Sequence, residues 1–143
     1  MKTVAQILAD KGSQVWSLDA GATVYEALEL MAEKNVGAVL VIEDEKPIGI
    51  LSERDYARKV VLRERVSRDT VVTEIMTPDP VCVAPDQDIE ACMAIMTAKR
   101  FRHLPVVEEG RLIGIISIGD VVKSIISERE YLIQQLESYI TGQ

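Results

Sequence analysis

Apolar positions along the chain recur at two spacings that alternate twice. Over 23–34 they fall at Val24, Ala27, Leu28 and Met31, the three-and-four step of one helical face, with Thr23 placed to cap the first turn. Two runs rich in β-branched residues follow, AVLVI at 38–42 and IGILS at 48–52, parted by the polar turn EDEKP, and these read as strands. A further helix is expected over 53–64. The series then returns: a helix over 88–99 with Asp88 as cap and Ile89, Cys92, Met93 and Met96 on its face, strands LPVVE and IGIIS around the turn EEGR, and a long helix over 119–140.

The return is a duplication. Residues 15–60 lie on 80–125 at a constant offset of 65 without a gap, and apolar positions match throughout: Val24 with Ile89, Leu28 with Met93, Met31 with Met96, Val41 with Val106, Ile50 with Ile115. Upstream, VAQIL at 4–8 resembles VTEIM at 72–76 at an offset of 68. Each copy reads as β-α-β-β-α, an α/β (α+β) pattern, which divides the chain into repeats at 1–66 and 67–127 and a helical extension at 128–143. A unit of about 60 residues buries too little surface to be comfortable alone. Two copies packed as a pseudo-twofold pair solve this and bring equivalent loops to a shared cleft.

Charge and composition narrow the function. Apolar residues make up 48% and charged residues 27% of the 143 positions, the balance of an ordinary folded protein. The longest apolar runs, VGAVLVI and LIGIISI, have seven residues, far short of the roughly 20 that span a bilayer. The N-terminal MKTVAQILADKGSQ lacks the apolar core of a secretory signal, so the expected address is the cytoplasm, away from membranes. A net charge of −7 argues against nucleic acid as a partner. Six basic residues nevertheless crowd 54–68 against two acids, either a solvated helix face or a site for a small anion. Cys82 and Cys92 lack the paired spacing of metal or redox motifs and read as small buried hydrophobes, and no metal site is expected.

The heptads GILSERD at 49–55 and GIISIGD at 114–120 carry the candidate chemistry. One reading is structural: Ser52 and Ser117 cap the helices that follow, with Asp55 and Asp120 at the third helical position. The other is functional. A strand turning into a helix presents backbone N–H groups and a positive dipole end to an anion, and a carboxylate one turn inside can accept from two vicinal ribose hydroxyls. Serine for phosphate and aspartate for ribose describe a nucleotide. KRFRHLPVV at 99–107 adds Arg100, Arg102 and His103, cations suited to phosphate, although His103 can equally be a strand-edge histidine bonded to a carbonyl. Copy one has Gly37 and Ala38 where copy two has Arg102 and His103, so its phosphate contact would fall to Arg54 or Arg58.

With its heptads, the AVLVI and LPVV strands and the motifs MAEKNVGAVLV, ERDYARKVVL and LIGIISIGDVVKS, the chain resembles the tandem CBS domain module over essentially its whole length, and within it the stand-alone bacterial two-CBS proteins. The resemblance implies a regulatory module that binds AMP, ADP, ATP, NAD(H) or S-adenosylmethionine in clefts between repeats, with Mg²⁺ entering alongside ATP. Carried over by position, Asp55 and Asp120 hold ribose and Ser52 and Ser117 meet phosphate. Gly37, Ala38, Val39, Arg102, His103, Leu104 and Pro105 line the pockets, and residues 15–17, including Trp16, and 80–83 touch adenine through their backbone. Gly119 stands where copy one has Arg54, which favours unlike sites, or one larger site able to take a dinucleotide.

Catalysis finds little to build on: one histidine, no Walker loop, no HExxH and no GxGxxG after a strand, so no enzyme is expected. Three roles remain: an energy or redox sensor that signals through dimer rearrangement, a protein-interaction module that regulates a partner enzyme or redox protein, and a structural dimerisation unit. Val122, Ile125, Ile126, Tyr131, Leu132, Leu136, Tyr139 and Ile140 form a stripe along the last helix, which either folds back on its own sheet or, as preferred here, meets a second subunit in a homodimer.

Overall fold

The computed structural model describes residues 2–142. In chain order its elements are α1 Val4–Lys11, β1 Ser17–Asp19, α2 Val24–Lys34, β2 Ala38–Glu43, β3 Lys46–Ser52, α3 Glu53–Tyr56, β4 Thr77–Pro78, α4 Ile89–Lys99, β5 His103–Glu108, β6 Arg111–Ser117 and α5 Ile118–Thr141. The mixed α/β architecture, the duplicated helix and hairpin, and the long last helix are those read from the sequence.

Two compact units form, and the chain exchanges segments between its repeats to make them. The first-copy unit comprises Gln14–Val81 with Glu109–Leu112; the second-copy unit comprises the segment through Ser13, Cys82–Glu108 and the chain from Ile113 onward. Helix α1 thus belongs with the second repeat, and residues 67–81 belong with the first. The sequence repeats at 1–66 and 67–127 describe the duplication, whereas the compact units describe the packing.

In the first-copy unit the sheet order is β1-β2-β3-β4. β1 runs parallel to β2 with Ser17 opposite Leu40, β2 is antiparallel to β3 with Ala38 opposite Ser52, and β4 closes the edge with Pro78 opposite Gly49. In the second-copy unit β5 pairs with β6. The first strand expected in each copy shrinks here to one parallel bridge, Val83 to Val106, held by Val83 N–H to Pro105 O at 2.9 Å and Val107 N–H to Val83 O at 3.0 Å.

The cores match position by position. Val24, Ala27, Met31, Val39, Val41, Leu51, Val72 and Ile75 are buried in the first unit. Ile89, Cys92, Met96, Leu104, Val106, Ile116, Val4 and Ile7, their counterparts, are buried in the second. Each such side chain removed from water contributes about 1.5–3 kcal/mol.

The first residue of each heptad is glycine because a neighbour fills the space its side chain would need. A Cβ on Gly114 would lie 2.8 Å from Leu8 Cδ2, and one on Gly49 would lie 2.8 Å from Met76 Cγ. Leu8 and Met76 are themselves equivalents at the offset of 68, so the same contact is built twice by the exchanged segments. Past Met76 the symmetry ends: Thr77-Pro78 turns into strand β4 because proline at 78 cannot continue a helix, whereas α1 runs on to Lys11.

Three expectations need correction. The helix over 53–64 is a single α turn, α3, that widens to π-type turns at Ala57–Val61, with Leu62 N–H on Ala57 O at 3.2 Å. The widening buries Val60 and leaves Val61 and Leu62 exposed. Cys82 is exposed and outside any strand, while Cys92 is buried at the position of Ala27. Finally, α5 does not fold back along its stripe: it packs on α4 and α1 near its start, where Val121 and Ser124 are buried, but residues 129–142 are all exposed. No helix among the described residues is long and apolar enough to cross a membrane.

The glycine contacts predict energetic coupling. Gly114→Ala should destabilise by about 1–3 kcal/mol through overpacking against Leu8. Combined with Leu8→Ala it should cost less than the sum of the single changes, because each relieves the other. Urea denaturation of the four proteins checks this, and additive costs would show that the contact does not select glycine.

Candidate functional site

Both heptads fold as reciprocal caps. In the second-copy unit Asp120 N–H donates to Ser117 Oγ at 3.1 Å, and Ser117 N–H donates to Asp120 Oδ2 at 2.8 Å. In the first-copy unit Asp55 N–H donates to Ser52 Oγ at 3.1 Å, Ser52 N–H to Asp55 Oδ2 at 3.0 Å, and Ser52 Oγ also to Asp55 Oδ2 at 3.1 Å. One further bond repeats: Glu53 N–H to Gly37 O at 3.0 Å and Ile118 N–H to Arg102 O at 2.8 Å. The entry of each hairpin is thereby tied to the start of the helix after it. The structural reading of the heptads therefore holds in full, and any ligand chemistry must use what the caps leave over.

What they leave over differs. Asp55 has both oxygens engaged: Lys59 Nζ, one helical turn on, stands 3.2 Å from Oδ1 while also donating to Ile75 O at 3.0 Å, and the carboxylate is only 13% exposed. Asp120 is 24% exposed, and Lys11 Nζ donates to the capped oxygen Oδ2 at 2.7 Å and to Ile115 O at 2.9 Å. Among the described residues its Oδ1 accepts no hydrogen bond. Burial pushes the Asp120 carboxyl up, but the hydrogen bonds from Lys11 and Ser117 and the Lys11 charge outweigh it and hold the group below the usual carboxylate range. The second-copy unit thus presents an ionised carboxylate with one oxygen open.

The cations expected near it begin the second hairpin. His103 opens β5, and Arg102, just before it, is exposed. Burial lowers the His103 pKa below its ordinary value; the charge of Lys11 acts the same way, Asp120 opposes, and Arg102 adds to the lowering. Burial and the neighbouring cations thus favour the neutral imidazole. Arg100 does not enter the strand: it ends α4 in the left-handed conformation, φ 58°, as Asn35 ends α2 at φ 55°.

The remaining candidates divide by burial. Val39 and Leu104 are 1% and 0% exposed, and Pro105 is also buried, so these offer backbone only. Gly37 lies on an open hollow of about 500 Å³ walled by Leu28, Met31, Val36 and Tyr56, where Glu53 supplies the only charge and repels a phosphate; Ala38 follows Gly37 into β2, opposite Ser52. Arg54 and Arg58 are exposed and form no ion pair among the described residues. Trp16 accepts the Leu40 N–H through its carbonyl at 3.1 Å and carries Lys34 Nζ 4.6 Å above its ring. Sequence reasoning missed Lys59 and Lys11 as site residues. The spacing of Asp55 and Lys59 was a readable signal, whereas Lys11 lies 109 positions from its partner.

Known proteins resemble the chain over most of its length. The CBS domain family matches residues 4–62 and 72–127. The mitochondrial CBS domain-containing protein CBSX3 of Arabidopsis thaliana is 37% identical over 98% of this chain and 72% of its own. Among solved structures, a CBS-domain protein from Burkholderia ambifaria superposes with a TM-score of 0.82 at 53% identity, covering 88% of this chain and 95% of that one. CBSX2, solved in complex with AMP, superposes at 0.75 with 28% identity over 90% of this chain and 99% of its own. The two matched segments carry the duplicated hairpins and their capped heptads, and the chain belongs to the CBS-domain family.

Proposed function

We propose that the protein is a regulatory module that binds an adenine nucleotide through Asp120. The carrying observation is the open Oδ1 of a carboxylate whose other oxygen is held by the Ser117 N–H and Lys11, a geometry that presents a fixed acceptor to ribose hydroxyls while Arg102 and His103 stand ready for phosphate. AMP in the related CBSX2 supports the ligand class. AMP, ADP, ATP and NAD(H) share the adenosine contacts and differ in phosphate reach, with Mg²⁺ accompanying ATP. Asp55, half-buried and with both oxygens engaged, is the weaker acceptor, so one preferred site is expected.

The signal would pass through association of two copies. On α5, Tyr131, Leu132, Ile133, Leu136, Tyr139 and Ile140 are each more than half exposed, a stripe extending about 20 Å beyond the packed start of the helix. A homodimer would cover it. A ligand that prefers one arrangement of the protomers shifts the balance by its difference in affinity, typically about 1–3 kcal/mol.

Calorimetric titration with AMP, ATP and NADH tests the site. Asp120→Ala should weaken the best ligand at least about tenfold, and Asp55→Ala by less, while both lose about 0.5–2 kcal/mol of cap stability. Absence of binding to the wild type at millimolar ligand would sink the sensor reading in favour of a protein-interaction role, and loss of binding in the variants only alongside a collapsed melting temperature would return both aspartates to a capping role. Separately, Leu136→Glu with Tyr139→Glu should convert a sedimenting dimer to monomer with an unchanged circular dichroism spectrum. A wild type that sediments as monomer at every concentration contradicts the association.

A further inference from the structure

The Asp120 site receives a cation that its repeat does not encode. Lys11 ends α1, a segment delivered to the second-copy unit from the start of the chain, and its ammonium sits 2.7 Å from Asp120 Oδ2 and 2.9 Å from Ile115 O. The helix that carries it is firmly set: Val4 N–H bonds Gln87 O at 2.9 Å, Ala5 N–H bonds Pro85 O at 2.8 Å, and Leu8 occupies the space over Gly114. Lys11 is thus held in place by backbone and core contacts that do not depend on a ligand.

Copy one encodes no cation at the matching sequence positions. At the offset of 68 the counterpart of Lys11 is Asp79, and at the offset of 65 the counterparts of Arg102 and His103 are Gly37 and Ala38. Lys11 is the charge that acts on Asp120, and the charges acting at His103 are two cations, Lys11 and Arg102, against the one carboxylate of Asp120. Around Asp55, Lys59 balances the carboxylate and the neighbouring hollow carries Glu53, while Arg54 and Arg58 are exposed at the surface.

We propose that Lys11 is the specificity-determining residue of the Asp120 site, making it select adenosine 5′-phosphates over the uncharged nucleoside and over cationic adenosine derivatives. The inference rests on the reading of Asp120 as a ribose acceptor and adds what decides among ligands that share the ribose. Lys11 acts from the capped side of the carboxylate: it leaves Oδ1 to the sugar, cancels the Asp120 charge that would repel a phosphate, and leaves Arg102 in excess.

AMP and adenosine, titrated into wild type, Lys11→Met and Lys11→Arg at one pH and salt, separate these effects. The wild type should prefer AMP, Lys11→Met should cut the AMP-to-adenosine affinity ratio about fivefold or more, and Lys11→Arg should keep it. A ratio unchanged in Lys11→Met, or equal loss of both ligands, overturns the proposal, the latter by leaving Lys11 only a part in orienting Asp120. A salt series on the wild type decides without any variant: AMP should weaken with ionic strength and adenosine should not, and an equal response overturns the proposal. Equal wild-type affinity for AMP and adenosine defeats the role of Lys11 but keeps the ribose site, whereas binding of neither defeats both.

Discussion

Each turn from hairpin to helix is closed by one reciprocal pair of hydrogen bonds, serine oxygen to aspartate N–H and aspartate oxygen to serine N–H. A helix start leaves backbone donors without partners, and a buried orphan donor costs as much as a lost hydrogen bond, so the turn cannot form cheaply without such a clasp. By satisfying those donors the cap fixes where α3 and α5 begin, and with them the direction of the helices that seal each core. It also fixes a carboxylate at the mouth of each turn, and the proposed function is built on that by-product of folding.

The duplication supplies a scaffold rather than two equal sites. Core positions, the caps and the glycine contacts with Leu8 and Met76 are shared, because each answers a packing demand that both units face. Groups beyond the core are released from that demand and diverge. Lysine reaches the first aspartate from the next turn of its own helix and the second from the other end of the chain, and the two carboxylates are left with different free capacity.

Much of this was legible in the sequence. Helical spacing marked α2 and α4, with Thr23 and Asp88 as caps that accept the Glu26 and Ala91 N–H groups, and the heptads announced both the hairpin ends and the capping pairs. The π-type widening at Ala57–Val61 was not readable, since apolar spacing there suits an ordinary helix and the choice is made by burying Val60 while Lys59 reaches Ile75. The exchange of α1 between repeats left no local trace either. Glycine at 114 recorded a close approach without naming Leu8, and nothing near Asp120 in the chain pointed to Lys11. Arg102 and His103 were visible as a departure from the repeat, and that asymmetry is the sequence signal on which the proposed function rests.

Ligand recognition is thus proposed to lie in what differs between the copies, at a carboxylate that the cap holds and Lys11 tunes. The most direct measurement is a crystal structure of the protein with AMP. The predicted result has the ribose hydroxyls on Asp120 Oδ1 and the phosphate beside Arg102 and His103, with Lys11 and the Ser117 N–H still on Oδ2. AMP bound on Asp55 with the Asp120 cluster unchanged would contradict it.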